Sequence, residues 1–238
     1  MLATLAGTPV DTPGWTYEVK WDGYRGIAYI NNGTVEIKSR NDKSFDEKFY
    51  PVHDALKKWT TNAVVDGEIV VINEKGLPDF GDLQNWRSEA DGNLVFYLFD
   101  ILWLEGKDLM QLPLTERRKI LRTVIPRNNT SIKLSEVFNV SGSSFFALAD
   151  KMGLEGIMAK KADSKYYPNL RTKEWLKIKT EIRQEAIICG FTKNENTSKS
   201  FSALLLGLYE KGQLEYIGPV GTGFSNQVQT EILKKLQP

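Results

Sequence analysis

Between Trp15 and Trp21 apolar and polar residues alternate, so an extended chain places Tyr17, Val19 and Trp21 on one face and Glu18, Lys20 and Asp22 on the other. The same period of two runs through YRGIAYI, TVEIKSR, AVVDGEIVVI and LVFYLFDILWL, and Asn31-Asn32-Gly33 between the first two has the composition of a tight hairpin turn. Helical spacing appears in FDEKFYPVHDALKKW, in TERRKILRTVI after Pro113, and in SSFFALADKMG, with Gly153 as its cap. After EWLKIKTEIRQ three strand-like runs follow, EAIICGFTK, FSALLLGLYE and QLEYIGPVG, and then a helix with Val228, Ile232, Leu233 and Leu236 on one face. TKNENTSKS reads as a polar loop. Hairpin-linked strands with interspersed helices, lacking strict strand-helix alternation, predict an α+β fold of mostly antiparallel sheets. A hinge near Thr180 to Gln184 and a smaller β domain beyond it are expected.

Composition narrows the chemistry more than the architecture. The 238 residues are 41% hydrophobic and include 26 aromatic side chains, ample for a core in one large domain or two unequal ones. No apolar run is long enough to span a bilayer, and the first 15 residues carry neither a basic leader nor a long apolar stretch, so a soluble chain without a signal peptide or membrane partner is expected. Cys189 and His53 are the only cysteine and histidine, which excludes internal disulfides, Cys-rich zinc sites and His-pair metal sites. Lys, Arg, carboxylates and hydroxyls must carry any reaction. Net charge is only +1, but basic residues, Lys160 among them, outnumber acidic ones from Glu155 to Lys199. That excess suits phosphates, or equally a solvated surface.

Lys20-Trp21-Asp22-Gly23-Tyr24-Arg25 resembles the nucleophile motif of the covalent nucleotidyltransferase superfamily, which includes ATP-dependent DNA ligases, RNA ligases and mRNA capping enzymes. Further motifs similar to those of the superfamily follow in order: Ser39-Arg40-Asn41, Asp66-Gly67-Glu68, Phe99-Asp100, Glu155-Gly156-Ile157-Met158 and Glu174-Trp175-Leu176-Lys177-Ile178-Lys179. Within the superfamily the likeness is to the ligase domain of the bacterial end-joining ligases of the D type. It covers essentially the whole chain, through MLATLAG, FGDLQNW and GLYEKGQLEYIGPVGTGFS. The resemblance implies an adenylation (nucleotidyltransferase) domain over residues 1–182, with flanking helices, and the N-terminal part of an OB-fold domain over residues 183–238. The family's last basic motif, which orients the β and γ phosphates, has no counterpart before Pro238. The expectation is therefore a chain cut within the OB domain, able to hold AMP but impaired in acquiring it from ATP.

The resemblance also implies roles. Lys20 is the nucleophile; Glu18 and Val19 lie at the base, with Glu18 accepting from the adenine amino group; Phe99 stacks on the base; Glu68 lies by the ribose; Arg25, Arg40, Lys177 and Lys179 face the nucleotide and its phosphates; Asp22 and Glu155 serve Mg²⁺ or Mn²⁺; and Arg171 meets phosphate of the nucleic acid. The residue types suit this chemistry. An amine attacking the α-phosphate of ATP must be neutral, whereas an ordinary lysine, with a pKa of about 10.4, is protonated near neutrality. Cations and desolvation favour the neutral form, and the same cations stabilise departing pyrophosphate.

The function expected is an ATP-dependent DNA ligase that seals nicked or broken double-stranded DNA through lysyl-AMP, in repair by end joining, in a bacterial cytoplasm at the nucleoid. The sequence leaves open whether Ku recruits it and whether polymerase or nuclease domains, fused or separate, accompany it. Two alternatives remain: an RNA ligase or capping-type enzyme, separable by its base selectivity, and a non-catalytic nucleotide- or DNA-binding module, which forms no covalent adduct.

Overall fold

The period-two runs become the strands β2 (Trp15–Val19), β3 (Tyr24–Asn31), β4 (Thr34–Ser39), β5 (Ala63–Ile72) and β6 (Asn93–Leu104); β1 (Leu2–Leu5), β7 (Lys107–Asp108), β8 (Ile132–Leu134), β9 (Gly156–Lys161) and β10 (Arg171–Lys179) join them. Helices α1 (Tyr50–Lys57), α2 (Phe80–Asn85), α3 (Leu114–Val124) and α4 (Gly142–Lys151) lie between them. This computed structural model describes residues 1–180, 185–193 and 199–236. The chain divides into two units, Met1–Glu181 and Ile182–Pro238. Of the expected hinge only Thr180 falls within the described residues, and the centre of the expected polar loop, residues 194–198, falls outside them.

The first unit holds two sheets. One has the order β1-β10-β9-β2; the other has the order β4-β3-β5-β6-β7, with β8 added beside β6. Pairing is antiparallel except for β1 with β10 and β8 with β6. The β3–β4 hairpin turns at Asn32 and Gly33, with φ of +48° and +78°, the left-handed pair that a tight turn between twisted strands requires. The helix expected from Phe45 onward begins only at Tyr50. Pro51 has no amide proton to give to a preceding turn and is tolerated only in a helix's first turn. The Ser141 hydroxyl caps α4 by accepting from the Ser144 amide at 3.2 Å, and Gly153, at φ +70°, ends the chain's helical course as its sequence predicts. The six-residue α2 has too few turns for a periodic signature; Asp79 caps it, accepting from the Asp82 amide at 3.0 Å.

Each sheet packs one face against helices. Ile30, Ile37, Val65, Ile69, Phe96 and Leu98 pack with Val52, Leu56 and Leu121 of the helices, while Tyr17, Ile157, Ala159 and Ile178 pack with Phe145 and Ala149. Burying each such side chain contributes roughly 1.5–3 kcal/mol, which fixes strand phase: residues of opposite parity on β2, β3, β5, β9 and β10 are left to face elsewhere.

The second unit contains an antiparallel sheet in the order β11 (Ile187–Thr192), β12 (Ala203–Glu210), β13 (Gln213–Val220), followed by α5 (Asn226–Leu236). Among the described residues no helix is long and apolar enough to cross a membrane.

Candidate active site

Register on the four-stranded sheet builds three rows across β2, β9 and β10. Thr16, Lys160 and Trp175 form the first; Glu18, Met158 and Lys177 the second; Lys20 and Lys179 flank Gly156 in the third. The Lys20 amide donates to the Gly156 carbonyl at 3.0 Å, extending the strand pairing by one residue. Gly156 has φ +143°, and a Cβ there would meet the Ile178 carbonyl at 2.0 Å. No other residue type fits, and nothing from this position stands between the two lysines.

The six-stranded sheet supplies the facing residues. Arg25 on β3 lies opposite Glu68 on β5, yet its guanidinium is taken by Asp66, donating from Nε at 2.9 Å and Nη2 at 2.5 Å. The Tyr166 hydroxyl also donates to Asp66, at 2.8 Å. Asp66 has no exposed surface and is fully engaged, the condition under which a buried carboxylate is tolerated. Glu68 has no such partner among the described residues: burial pushes its carboxyl up to about 8, against the opposing pull of Arg25 and Lys20. The Phe99 ring is touched by two cations, the Lys160 ammonium at 4.1 Å and the Arg25 guanidinium at 5.5 Å from its centroid.

Around Lys20 the charges alternate. Glu155 accepts a short hydrogen bond from the Lys20 ammonium and pairs with Lys179 at 2.9 Å. Burial pushes the Glu155 carboxyl up, but hydrogen bonds and charge from the two lysines outweigh it and hold the group below the usual carboxylate range. Asp22, beside Glu155, is raised by burial and then by that neighbouring carboxylate. Lys177 is lowered by burial and by its proximity to Lys20, Lys179 and Arg171.

A different arrangement surrounds Glu18, which is 1% exposed. Oε1 accepts from Lys160 at 2.9 Å and Arg118 at 3.1 Å, and Oε2 accepts from the Ser135 hydroxyl at 3.1 Å. Lys160, Arg118, Ser135 and Asp66 were absent from the residues expected on sequence. Lys160 in particular belongs to no phosphate-facing surface: it is 1% exposed, and burial pushes its ammonium down against the pull of Glu18. A signal for Arg118 does exist, since Leu114, Arg117, Arg118 and Leu121 share the buried face of α3, and a charge in the apolar phase of a helix marks an internal ion pair.

Nine of the expected residues, Glu18, Val19, Lys20, Arg25, Arg40, Glu68, Phe99, Arg171 and Lys177, line one cleft of about 240 Å³. Asp22, Glu155 and Lys179 do not line it and gather instead at its Lys20 end. Arg171 donates to the Ala3 carbonyl and is exposed, while Arg40 has no ion-pair partner among the described residues. A larger cavity of about 790 Å³ shares Arg25 and Arg40 with the cleft but carries none of the other expected residues.

A cleft between two mainly antiparallel sheets, with a lysine among carboxylates and further cations at one end and a buried carboxylate at the other, defines a nucleotidyltransferase-type ligase domain. The sequence profile described as "ATP dependent DNA ligase domain" matches residues 4–179, and that described as "ATP dependent DNA ligase C terminal region" matches residues 197–238. The multifunctional non-homologous end joining protein LigD of Pseudomonas aeruginosa is 36% identical over 94% of this chain and 27% of its own length. DNA ligase C of Mycobacterium tuberculosis is 30% identical over 95% of this chain and 67% of its own. Among solved structures, mycobacterial DNA ligase D complexed with ATP and MES superimposes with a TM-score of 0.70 at 34% identity, over 99% of this chain and 75% of that one. The ligase domain of M. tuberculosis LigD gives 0.68 at 33% identity, over 98% and 76%. The chain belongs to the ATP-dependent DNA ligase family, and it spans under a third of the length of the LigD relatives it matches.

Proposed function

We propose that the chain adenylates itself on Lys20 and passes the AMP to DNA, sealing strand breaks in end-joining repair. The observation that carries this reading is the placement of Lys20 in one row with Lys179, next to Lys177, at the end of a cleft whose other end is the buried Glu18. Residues 1–182 are read as the adenylation domain. Residues 183–238, matched in part by the C-terminal region profile, are read as belonging to an OB-fold domain that contacts DNA.

In the first step the Lys20 amine attacks the α-phosphorus of ATP, an N–P bond forms, and the bond to the β-phosphate oxygen breaks as pyrophosphate leaves. A 5′-phosphate oxygen of DNA then displaces Lys20, restoring the amine and joining AMP to the DNA end. The 3′-hydroxyl finally attacks that 5′-phosphate and releases AMP. Lys177 and Lys179 are placed to stabilise charge on the transferring phosphate, and Arg40, free of a carboxylate partner among the described residues, to meet the nucleotide. The amine attacks only in its neutral form, and Glu155, which contacts both Lys20 and Lys179, has a second cation to hold while Lys20 reacts. Glu68, protonated up to about pH 8, can donate as well as accept towards a ribose hydroxyl.

The residues present fit a divalent metal. Among the described residues no three carboxylate, histidine or cysteine groups form a closed metal cage, but the neighbouring carboxyls of Asp22 and Glu155 offer a two-oxygen set. That suits Mg²⁺ or Mn²⁺, which keeps water and takes phosphate oxygens for its other ligands. Such an ion, when bound, neutralises phosphate charge.

The test is the intact mass of the chain with ATP and Mg²⁺: one added AMP on the wild type, none on Lys20→Ala, and transfer to a nicked duplex but not to a nicked RNA. A wild type that remains unmodified refutes the proposal. Ku and the cytoplasmic, nucleoid-associated setting belong to the same reading and are tested by pull-down with Ku and by fractionation.

A further inference from the structure

Among the described residues, every hydrogen-bond partner of the Glu18 carboxylate is a donor. Lys160 and Arg118 have no acceptor capacity, and both address Oε1. At Oε2 the neighbour is a hydroxyl, which can point either way, but its polarity is fixed from outside. The Trp21 indole N–H, a donor only, sits 3.1 Å from the Ser135 oxygen and makes it accept, so the Ser135 proton is directed to Glu18. Trp21 is itself fixed by stacking on Tyr97 at 3.7 Å between centroids. Lys160 has nothing left for a ligand: its ammonium is capped by the Phe99 and Trp175 rings, at 4.1 and 4.4 Å, and by Glu18. Its reach is therefore spent inward, although it lines the same cleft as Lys20.

We infer that Lys160, with Arg118 and Ser135, is a positioning residue that fixes Glu18 as an obligate acceptor, leaving Oε2 to select a nucleotide base that offers an N–H and to reject one that offers a carbonyl at the same place. This rests on the reading of the cleft as a purine nucleotide site. Three of the carboxylate's roughly four lone-pair positions are filled, so one remains on Oε2. A 6-amino group satisfies it, whereas a 6-oxo group sets two acceptors against each other and leaves both unpaired.

The experiment measures equilibrium binding of AMP and IMP, identical except at that position, to the full chain and to variants. Wild type is expected to prefer AMP by at least about tenfold. Lys160→Met, which keeps bulk between the two rings, is expected to weaken AMP while leaving IMP nearly unchanged, bringing the preference within about twofold. Lys160→Arg restores it. Glu18→Gln is the second variant, should K160M fail to melt cooperatively. With Lys160 and Arg118 claiming the amide oxygen, the amide nitrogen takes the place of Oε2 and the preference turns towards IMP. Equal weakening of AMP and IMP in K160M, or an AMP preference that survives Glu18→Gln, overturns the inference. Wild type that prefers AMP yet forms no adduct with ATP refutes the ligase reading alone; wild type that binds neither, or both equally, refutes the inference.

Discussion

Lys160 and Lys20 stand two rows apart on the same sheet face and line the same cleft, yet they are built for opposite tasks. Lys160 is sealed, with two aromatic rings and a carboxylate around it. Lys20 is 16% exposed in its side chain and rests on one carboxylate that a second lysine also holds. The same residue type becomes a structural cation where every partner is committed, and a nucleophile where its partner can be drawn away. Burial and partner inventory separate the two; sequence spacing does not.

Substituting each lysine in turn separates the two roles. Lys20→Ala removes all AMP adduct in intact-mass analysis but shifts the unfolding midpoint little, since a partly exposed pair contributes about 0–1 kcal/mol. Lys160→Ala does the reverse in kind. It empties the space against the Phe99 and Trp175 rings and takes one donor from the buried Glu18 carboxylate, and denaturant unfolding is expected to register a loss of about 3 kcal/mol. Next in size, Lys177→Ala slows lysyl-AMP formation by about 10²-fold in single-turnover assays with unchanged melting, as loss of one preorganised phosphate contact does.

A further test lies in pH. The Glu68 carboxyl is raised in the folded state to about 8 from an ordinary value of 4.5. Between those values the unfolded chain has released a proton that the folded chain retains, so folding stability from this group is present at the acid end and falls as pH rises, being lost above about 8. Urea titrations from pH 5 to 8.5 should show that decline, and Glu68→Gln should flatten it.

The same contrast explains what the sequence carried. The β3–β4 hairpin was legible because Asn32-Gly33 states its own backbone geometry locally. Lys20, Glu68 and the Lys177–Lys179 pair sit in short motifs, and the face shared by Lys177 and Lys179 follows from strand parity. What stayed hidden depends on pairing between distant segments. Leu2 pairs with Arg171 in parallel, and Lys160 becomes buried only because Trp175 and Thr16 flank it. A lysine-rich stretch read alone gives no sign of which lysine is roofed by aromatic rings. Arg25 shows the same limit: the motif places it at the nucleotide, while the structure commits two of its nitrogens to Asp66.

Lys20, and not its neighbour on the sheet, is proposed as the group that takes AMP. Intact-mass and peptide mapping of the wild type after ATP and Mg²⁺ tests it most directly. A single AMP is expected on the peptide containing Lys20, absent in Lys20→Ala and retained in Lys160→Arg. An adduct on any other lysine, or none at all, contradicts it.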